Sequence, residues 1–325
     1  MKYFGKIIWI LFFSSLVFSA KSQNESPLQP FSNPMLINPA FAGFDNQTSL
    51  HVGNQFYNVD SAQAYNQLHF TYDTWSQKLN GGISIIFQQG IIGKRNISTT
   101  ELGFSYAARP RKTENGALRF AVSTNFVLAT KQLYVNSLDG IMIDAESSPN
   151  PPGPDLFQYL LLKPRLAVLY ESRTTSWGLT AGFPLKVDFA GGEEDLNKVT
   201  PINLTLYISG NHEGYKKGLR TKPYAFIPEV IVFYQEDFSV IRLHPYMEHA
   251  DNTLGIFLQS DITNNIHCLG GTAGIAFGNF RIDLNAGAGI PGISDQIGLM
   301  GELNLKIIVP RIDYSKINPW ATERN

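Results

Sequence analysis

The chain has 325 residues, of which 43% are hydrophobic and only 16% charged, with a formal net charge of -1. So low a charge content points to a non-aqueous neighbour, and with no basic surplus it argues against nucleic acid as a partner, whose binding draws on Lys and Arg set against phosphates. Twelve per cent aromatic residues, 28 glycines and 18 prolines favour strands and turns over long helices.

At the N-terminus, Lys2 and Lys6 precede an apolar run from Ile7 to Phe18, and Ala20-Lys21-Ser22 sets small residues three and one positions before Gln23. This pattern predicts a secretory signal peptide over residues 1–22 with cleavage before Gln23. The apolar run, about 12 residues, is too short for a membrane-spanning helix. No later stretch is long and apolar enough to replace it.

Residues 23–48 form a lead-in around Phe31-Ser32-Asn33-Pro34-Met35-Leu36-Ile37-Asn38-Pro39-Ala40-Phe41-Ala42-Gly43. Pro34 and Pro39 each remove a donor and bias the preceding Asn towards extended or turn geometry, while Gly43 permits a positive φ. Two readings of this stiff segment stand side by side. In one it is a periplasmic or lumen-inserted element that contacts partners, with Asn38, Pro39, Ala40, Phe41 and Gly43 as the candidate contact residues. In the other it is a cap that plugs a barrel and packs Phe41.

From residue 49 to 309 the chain alternates with a period of two. Arg119, Ala121, Ser123 and Asn125 face away from Leu118, Phe120, Val122, Phe126 and Leu128; Ile202, Leu204, Leu206 and Ile208 oppose Asn203, Thr205, Tyr207 and Ser209; Phe280, Ile282 and Leu284 oppose Arg281, Asp283 and Asn285. The strands run about 9 to 13 residues, the length a tilted strand needs to cross a bilayer and longer than soluble strands. Arg165, Glu171, Glu229, Arg242, Asp283, Glu302 and Lys306 all fall on the polar face. Segmentation at 49–60, 65–75, 81–90, 97–109, 117–132, 163–172, 176–186, 201–209, 222–234, 238–248, 254–262, 268–277, 280–290 and 296–309 gives about 14 strands. The fold predicted is all-β: a transmembrane, antiparallel, up-and-down β-barrel of outer-membrane type, with the outer-membrane lipid as its neighbour. Both termini are expected in the periplasm, with the long connections (Leu133 to Leu162, and the acidic stretch about Gly191 to Asp195) outside and the tight Gly278-Asn279 turn inside; the connection from Gly210 to Thr221, inward yet rather long and basic, is an exception. Trp75, Tyr106, Trp177, Tyr224 and Tyr234 suit interfacial girdles. An Arg at the lipid-facing Leu204 is expected to be worse than one at the lumen-facing Thr205. Residues 310–325 are a C-terminal tail.

The chemistry-bearing residues give no catalytic constellation. His244, Glu248 and His249 lie close together, but in a strand with Pro245 and not at zinc-peptidase spacing on a helix. Cys268 is the only cysteine and sits in a strand, where it reads as a buried or lipid-facing thiol. Gly270-Gly271 and Ala286 to Gly289 lack a phosphate loop's setting and read as small lumen residues or barrel bends. No enzyme activity, metal or cofactor is expected.

The segment from Phe31 to Gly43 resembles the N-terminal signature of the PorP/SprF family of outer-membrane proteins, associated with type IX secretion and gliding motility. Weaker similarities follow at Gly103-Phe104-Ser105-Tyr106-Ala107, Leu118-Arg119-Phe120-Ala121, Lys163-Pro164-Arg165, and Lys222-Pro223-Tyr224 with Pro228. The resemblance implies a non-enzymatic barrel that works with other type IX secretion components, anchoring them to the outer membrane or holding the C-terminal domain of an exported adhesin at the surface. The alternative is an outer-membrane transporter or channel for a small, hydrophobic solute. The chain departs from the usual pattern in continuing past its last strand without a terminal aromatic.

Overall fold

The computed structural model describes residues 33–44, 47–58, 65–92, 97–113, 116–133, 155–172, 174–188, 202–210, 212–214, 224–235, 238–263, 265–292 and 298–309. The signal peptide and the tail expected at 310–325 lie outside them.

A one-turn helix, α1 (Pro34–Ile37), and a 3-10 turn (Pro39–Phe41) precede the sheet. The strands are β1 (Thr48–Asn58), β2 (Tyr65–Ser76), β3 (Gly81–Ile92), β4 (Ile97–Thr113), β5 (Gly116–Leu133), β6 (Asp155–Ser172), β7 (Thr175–Gly182), β8 (Leu185–Asp188), β9 (Asn203–Gly210), β10 (His212–Gly214), β11 (Tyr224–Gln235), β12 (Phe238–His249), β13 (Asn252–Asp261), β14 (Ile266–Phe277), β15 (Phe280–Gly289) and β16 (Leu299–Val309). Except at β8 and β10, which pair with β6 and β11, consecutive strands pair antiparallel, β7 with β9 and β9 with β11, and β1 pairs with β16 from Thr48↔Val309 to Asn58↔Leu299. The ring therefore closes. The 16 segments make 14 staves, because β7 with β8 and β9 with β10 are each one stave in two pieces. The molecule is an outer-membrane type β-barrel, as the sequence predicts.

Prolines account for both interruptions. On β6 the ladder runs from Arg165↔Gly182 to Leu162↔Leu185, skipping Pro164 and Pro184, neither of which can donate a ladder bond. The Phe183 amide bonds instead to the Pro164 carbonyl at 2.9 Å. Between β9 and β10 the gap falls opposite Pro228, since Ser209 pairs with Glu229 and His212 with Phe226. Pro228 itself pairs across from Pro245, so two residues without amide hydrogens share one rung.

Period-two alternation sets the faces. Phe120, Val122, Phe126 and Leu128 of β5, and Leu204, Leu206 and Ile208 of β9, are exposed on the outer wall, while Arg119, Ala121, Ser123, Asn125, Thr205 and Tyr207 are buried inside. A stave such as β1, with 11 residues, extends about 35 Å and, tilted by about 40°, rises roughly 27 Å, which matches the apolar band of an outer-membrane barrel. The tight turns 77–80, 250–251 and 278–279 share one end, the short-turn end, with Thr48 and Val309, and Leu133, Asp155, Asp188 and Asn203, which bound the two longest gaps between strands, lie at the other. Gly214 and Tyr224, with nine residues between them at the short-turn end, and Gln235 and Phe238, with two between them at the other, depart from this division.

Three expectations are corrected. Strand β6 begins at Asp155 and not at residue 163, because its first residues pair with the upper half of β5, Leu133↔Asp155 onward. The stave expected at 176–186 is split by the proline pair. Trp75 is buried in the lumen mouth beneath Arg109, whose guanidinium carbon lies 4.3 Å from the ring centroid, and so is no girdle residue. Its parity with Asp73 and Thr71 dictates this.

Candidate functional site: the filled lumen

The site grows from the backbone of residues 33–44. Pro34 opens α1 at a position where a missing amide hydrogen costs nothing, and Pro39 does the same for the 3-10 turn. Between them, Asn38 ends one turn and caps the next. Its backbone amide donates to the Pro34 carbonyl at 2.9 Å, and its side-chain oxygen accepts from the Ala40 amide at 2.8 Å. Gly43 then takes a φ of 60°, and its amide donates to Asp73 Oδ2 at 2.9 Å. The result is a compact double turn with no strand character, which joins none of the barrel ladders.

This element lies inside the barrel, across its short-turn half. Asn33 donates to Thr71 Oγ1 at 2.7 Å on β2, and the Asn38 amide nitrogen donates to the Val168 carbonyl at 3.1 Å on β6. Wall side chains meet its spare carbonyls: Thr180 approaches that of Ile37 at 3.4 Å, Arg165 that of Leu36 at 3.5 Å, and Arg119 those of Ala42 at 3.5 Å and Phe44 at 2.8 Å. Arg119 also stacks over the Phe44 ring, 4.8 Å from its centroid. Met35, Ile37, Ala40, Phe41 and Ala42 form one apolar cluster with Ala107, Ala121, Ala167, Leu169, Tyr207 and Ile231. Phe41 meets Tyr207 edge-on at 5.3 Å.

The wall beneath the segment is cut to receive it. Gly82, Ala107, Ala121, Ala167, Thr180 and Thr205 pair in succession across β3, β4, β5, β6, β7 and β9, making a belt of small inward residues around nearly half the ring. A Cβ on Gly82 would overlap the Ala42 carbonyl, and one on Gly178 would meet the Asn38 side-chain nitrogen.

The opposite arc fills itself with long polar side chains. Arg242 donates twice to Gln259 Oε1, at 3.1 and 2.6 Å. His244 Nε2 lies 2.9 Å from Thr272 Oγ1, which donates to Asn285 at 2.6 Å, and Asn285 donates to Glu302 at 3.3 Å. Arg281 bonds both carboxylate oxygens of Asp283 at 3.0 Å and pairs with Glu248 at 3.2 Å. Phe257 lies over Gly270 and Gly287, and with Tyr57, Cys268 and Met300 makes a second, smaller apolar cluster. Arg242 and Asn285 are 1% exposed and Glu302 2%, so no water-wide surface remains beside them.

The residues expected to contact partners, Asn38, Pro39, Ala40, Phe41 and Gly43, are thus together, and all face the barrel wall. All five are buried. His244, Glu248 and His249 are kept apart: His244 bonds Thr272, Glu248 pairs with Arg281, and His249 stacks on Tyr224 at 4.1 Å. Cys268 faces the lumen. The small-residue belt and Arg119's role escape sequence reading, because only strand register brings those positions onto one level.

Solved structures similar to this chain at low identity include three bacterial proteins. They are CdiB from Acinetobacter baumannii (TM-score 0.45, 10% identity, 80% of this chain and 60% of that one), the outer membrane protein Omp33 of Acinetobacter baumannii (0.44, 10%, 81% and 99%), and the toluene transporter TodX of Pseudomonas putida (0.45, 12%, 90% and 98%). This chain therefore spans 60% of the length of CdiB. No curated protein matches it. Residues 20–282 match the family described as type IX secretion system membrane protein PorP/SprF. On that match, over more than half its length, the chain belongs to the PorP/SprF family.

Proposed function

We propose that this protein is a non-enzymatic outer-membrane barrel of the type IX secretion and gliding system, which anchors secretion-machine components or holds the C-terminal domain of an exported adhesin. It is exported by cleavage before Gln23 and keeps both termini in the periplasm. One observation carries this reading: the lumen is filled, by residues 33–44 on one arc and by bonded polar side chains on the other, so the resting barrel works through its outer surfaces and mouths. A solute transporter needs a continuous path, and this packing weighs against it. The pairing of Thr48 with Val309 at the short-turn end supports the common periplasmic exit of both chain ends. Partner contacts by Asn38, Pro39, Ala40, Phe41 and Gly43 require the segment to leave the lumen.

Affinity purification of the full-length protein from native membranes in mild detergent, followed by mass spectrometry, tests the proposal. Type IX components or an adhesin C-terminal domain should co-purify, and deletion of the gene should abolish secretion or surface display. A barrel that purifies alone, from cells whose secretion does not depend on it, would overturn the reading.

A further inference from the structure

We infer that the small-residue belt is a peptide-binding groove whose occupant is residues 33–44 of the same chain, and that vacating it opens a pore through the barrel. A ring of 8 strands is just filled by its own side chains, whereas 16 or more leave a water channel. At 14 staves this wall lies between those limits, and its contents divide accordingly. The arc from β12 round to β1 carries Arg242, Gln259, Phe257, Glu302 and Gln55, long enough to fill their half. The arc from β3 to β9 carries Gly82, Ala107, Ala121, Ala167, Thr180 and Thr205, which cannot. Only the segment closes that side.

The attachment is that of a ligand to a site. No residue of 33–44 pairs in a strand ladder, so the segment can leave without breaking an inter-strand rung. What holds it is side-chain chemistry aimed at its backbone: Arg119 at the Ala42 and Phe44 carbonyls, Asp73 at the Gly43 amide, and Thr180 at the Ile37 carbonyl. Gly82 and Gly178 leave room where Ala42 and Asn38 press on the wall. The groove therefore selects a peptide with Asn at the junction of two turns, an aromatic three residues on, and a small residue next to it.

The test is conductance in planar bilayers of the purified mature chain. The parent protein should show no steady unit steps, a variant lacking residues 33–44 should show them, and a synthetic peptide of the sequence Asn33 to Phe44 should abolish them. The same peptide with Ala at Asn38 and Phe41 should not. An inserted, heat-modifiable deletion variant that stays silent, a parent that conducts with the variant's own unit step, or a peptide that fails to block would each overturn the inference. Should the deletion fail to insert, Asn38→Ala combined with Arg119→Ala in the full-length chain carries the test. That variant should show bursts of openings, and silence at parental insertion level would refute the pore.

Discussion

Gly82 and Gly271 are both strand glycines, yet they meet opposite surroundings. A methyl group at Gly82 would enter the Ala42 carbonyl, while one at Gly271 would find its nearest neighbour, the Gly255 carbonyl oxygen, at 3.7 Å on the outer wall. Gly82→Ala should therefore destabilise the barrel by about 1–3 kcal/mol through overpacking, and Gly271→Ala should stay within about 0.5 kcal/mol of the parent. Urea unfolding in detergent micelles distinguishes them, and equal midpoints would mean that the segment does not press on β3. The sequence marks residues 31–43 as unusual because two Asn-Pro pairs are visible without any fold. It is silent about Gly82, Ala107, Ala121 and Ala167, each an ordinary small residue until register aligns it with the others.

For the strands, facing was legible and its consequence was not. Leu204 is outward and Thr205 inward, as alternation predicts. Leu204→Arg should impair assembly by roughly 2 to 4 kcal/mol if it lies mid-membrane. The expected tolerance of Thr205→Arg presumes a wet lumen, whereas Thr205 belongs to the belt under residues 33–44. That variant should insert normally but displace the segment, with a lowered unfolding midpoint. Outer-membrane yield and midpoint, measured separately, check this: a Thr205→Arg protein of parental midpoint would show the lumen to be roomy at that level. The two split staves were equally out of reach, since Pro164, Pro184 and Pro228 are plain in the sequence but the rungs they delete depend on which strand lies opposite.

The closed ring as a whole should resist detergent, so unboiled protein should migrate faster than boiled protein on a denaturing gel. The segment contributes to that resistance through Phe41, whose replacement by Ala should cost about 3–5 kcal/mol and lower the temperature at which the fast form disappears. Replacing Asn38, Pro39 and Phe41 together should lower it further while leaving the protein inserted. An unchanged transition would assign the segment no packing role. Strand number, closure and polarity of the lumen were all readable from alternation and length. That the lumen is packed was not, because a single sequence gives the faces of a barrel and not the volume between them.

The position of the segment in the chain has a consequence for the order of assembly. Each hydrogen bond described between residues 33–44 and the wall ends on β2, β5, β6 or β7, the last at Thr180, and the apolar cluster around the segment is complete with Tyr207 of β9 and Ile231 of β11. The β1–β16 rung, by contrast, waits for residues 299–309. The N-terminal staves can therefore wrap around their own peptide while the C-terminal ones are still unpaired. The first half of the nascent sheet is then a clasp shut on its own leader, and the final seam closes over a lumen whose filling is already in place.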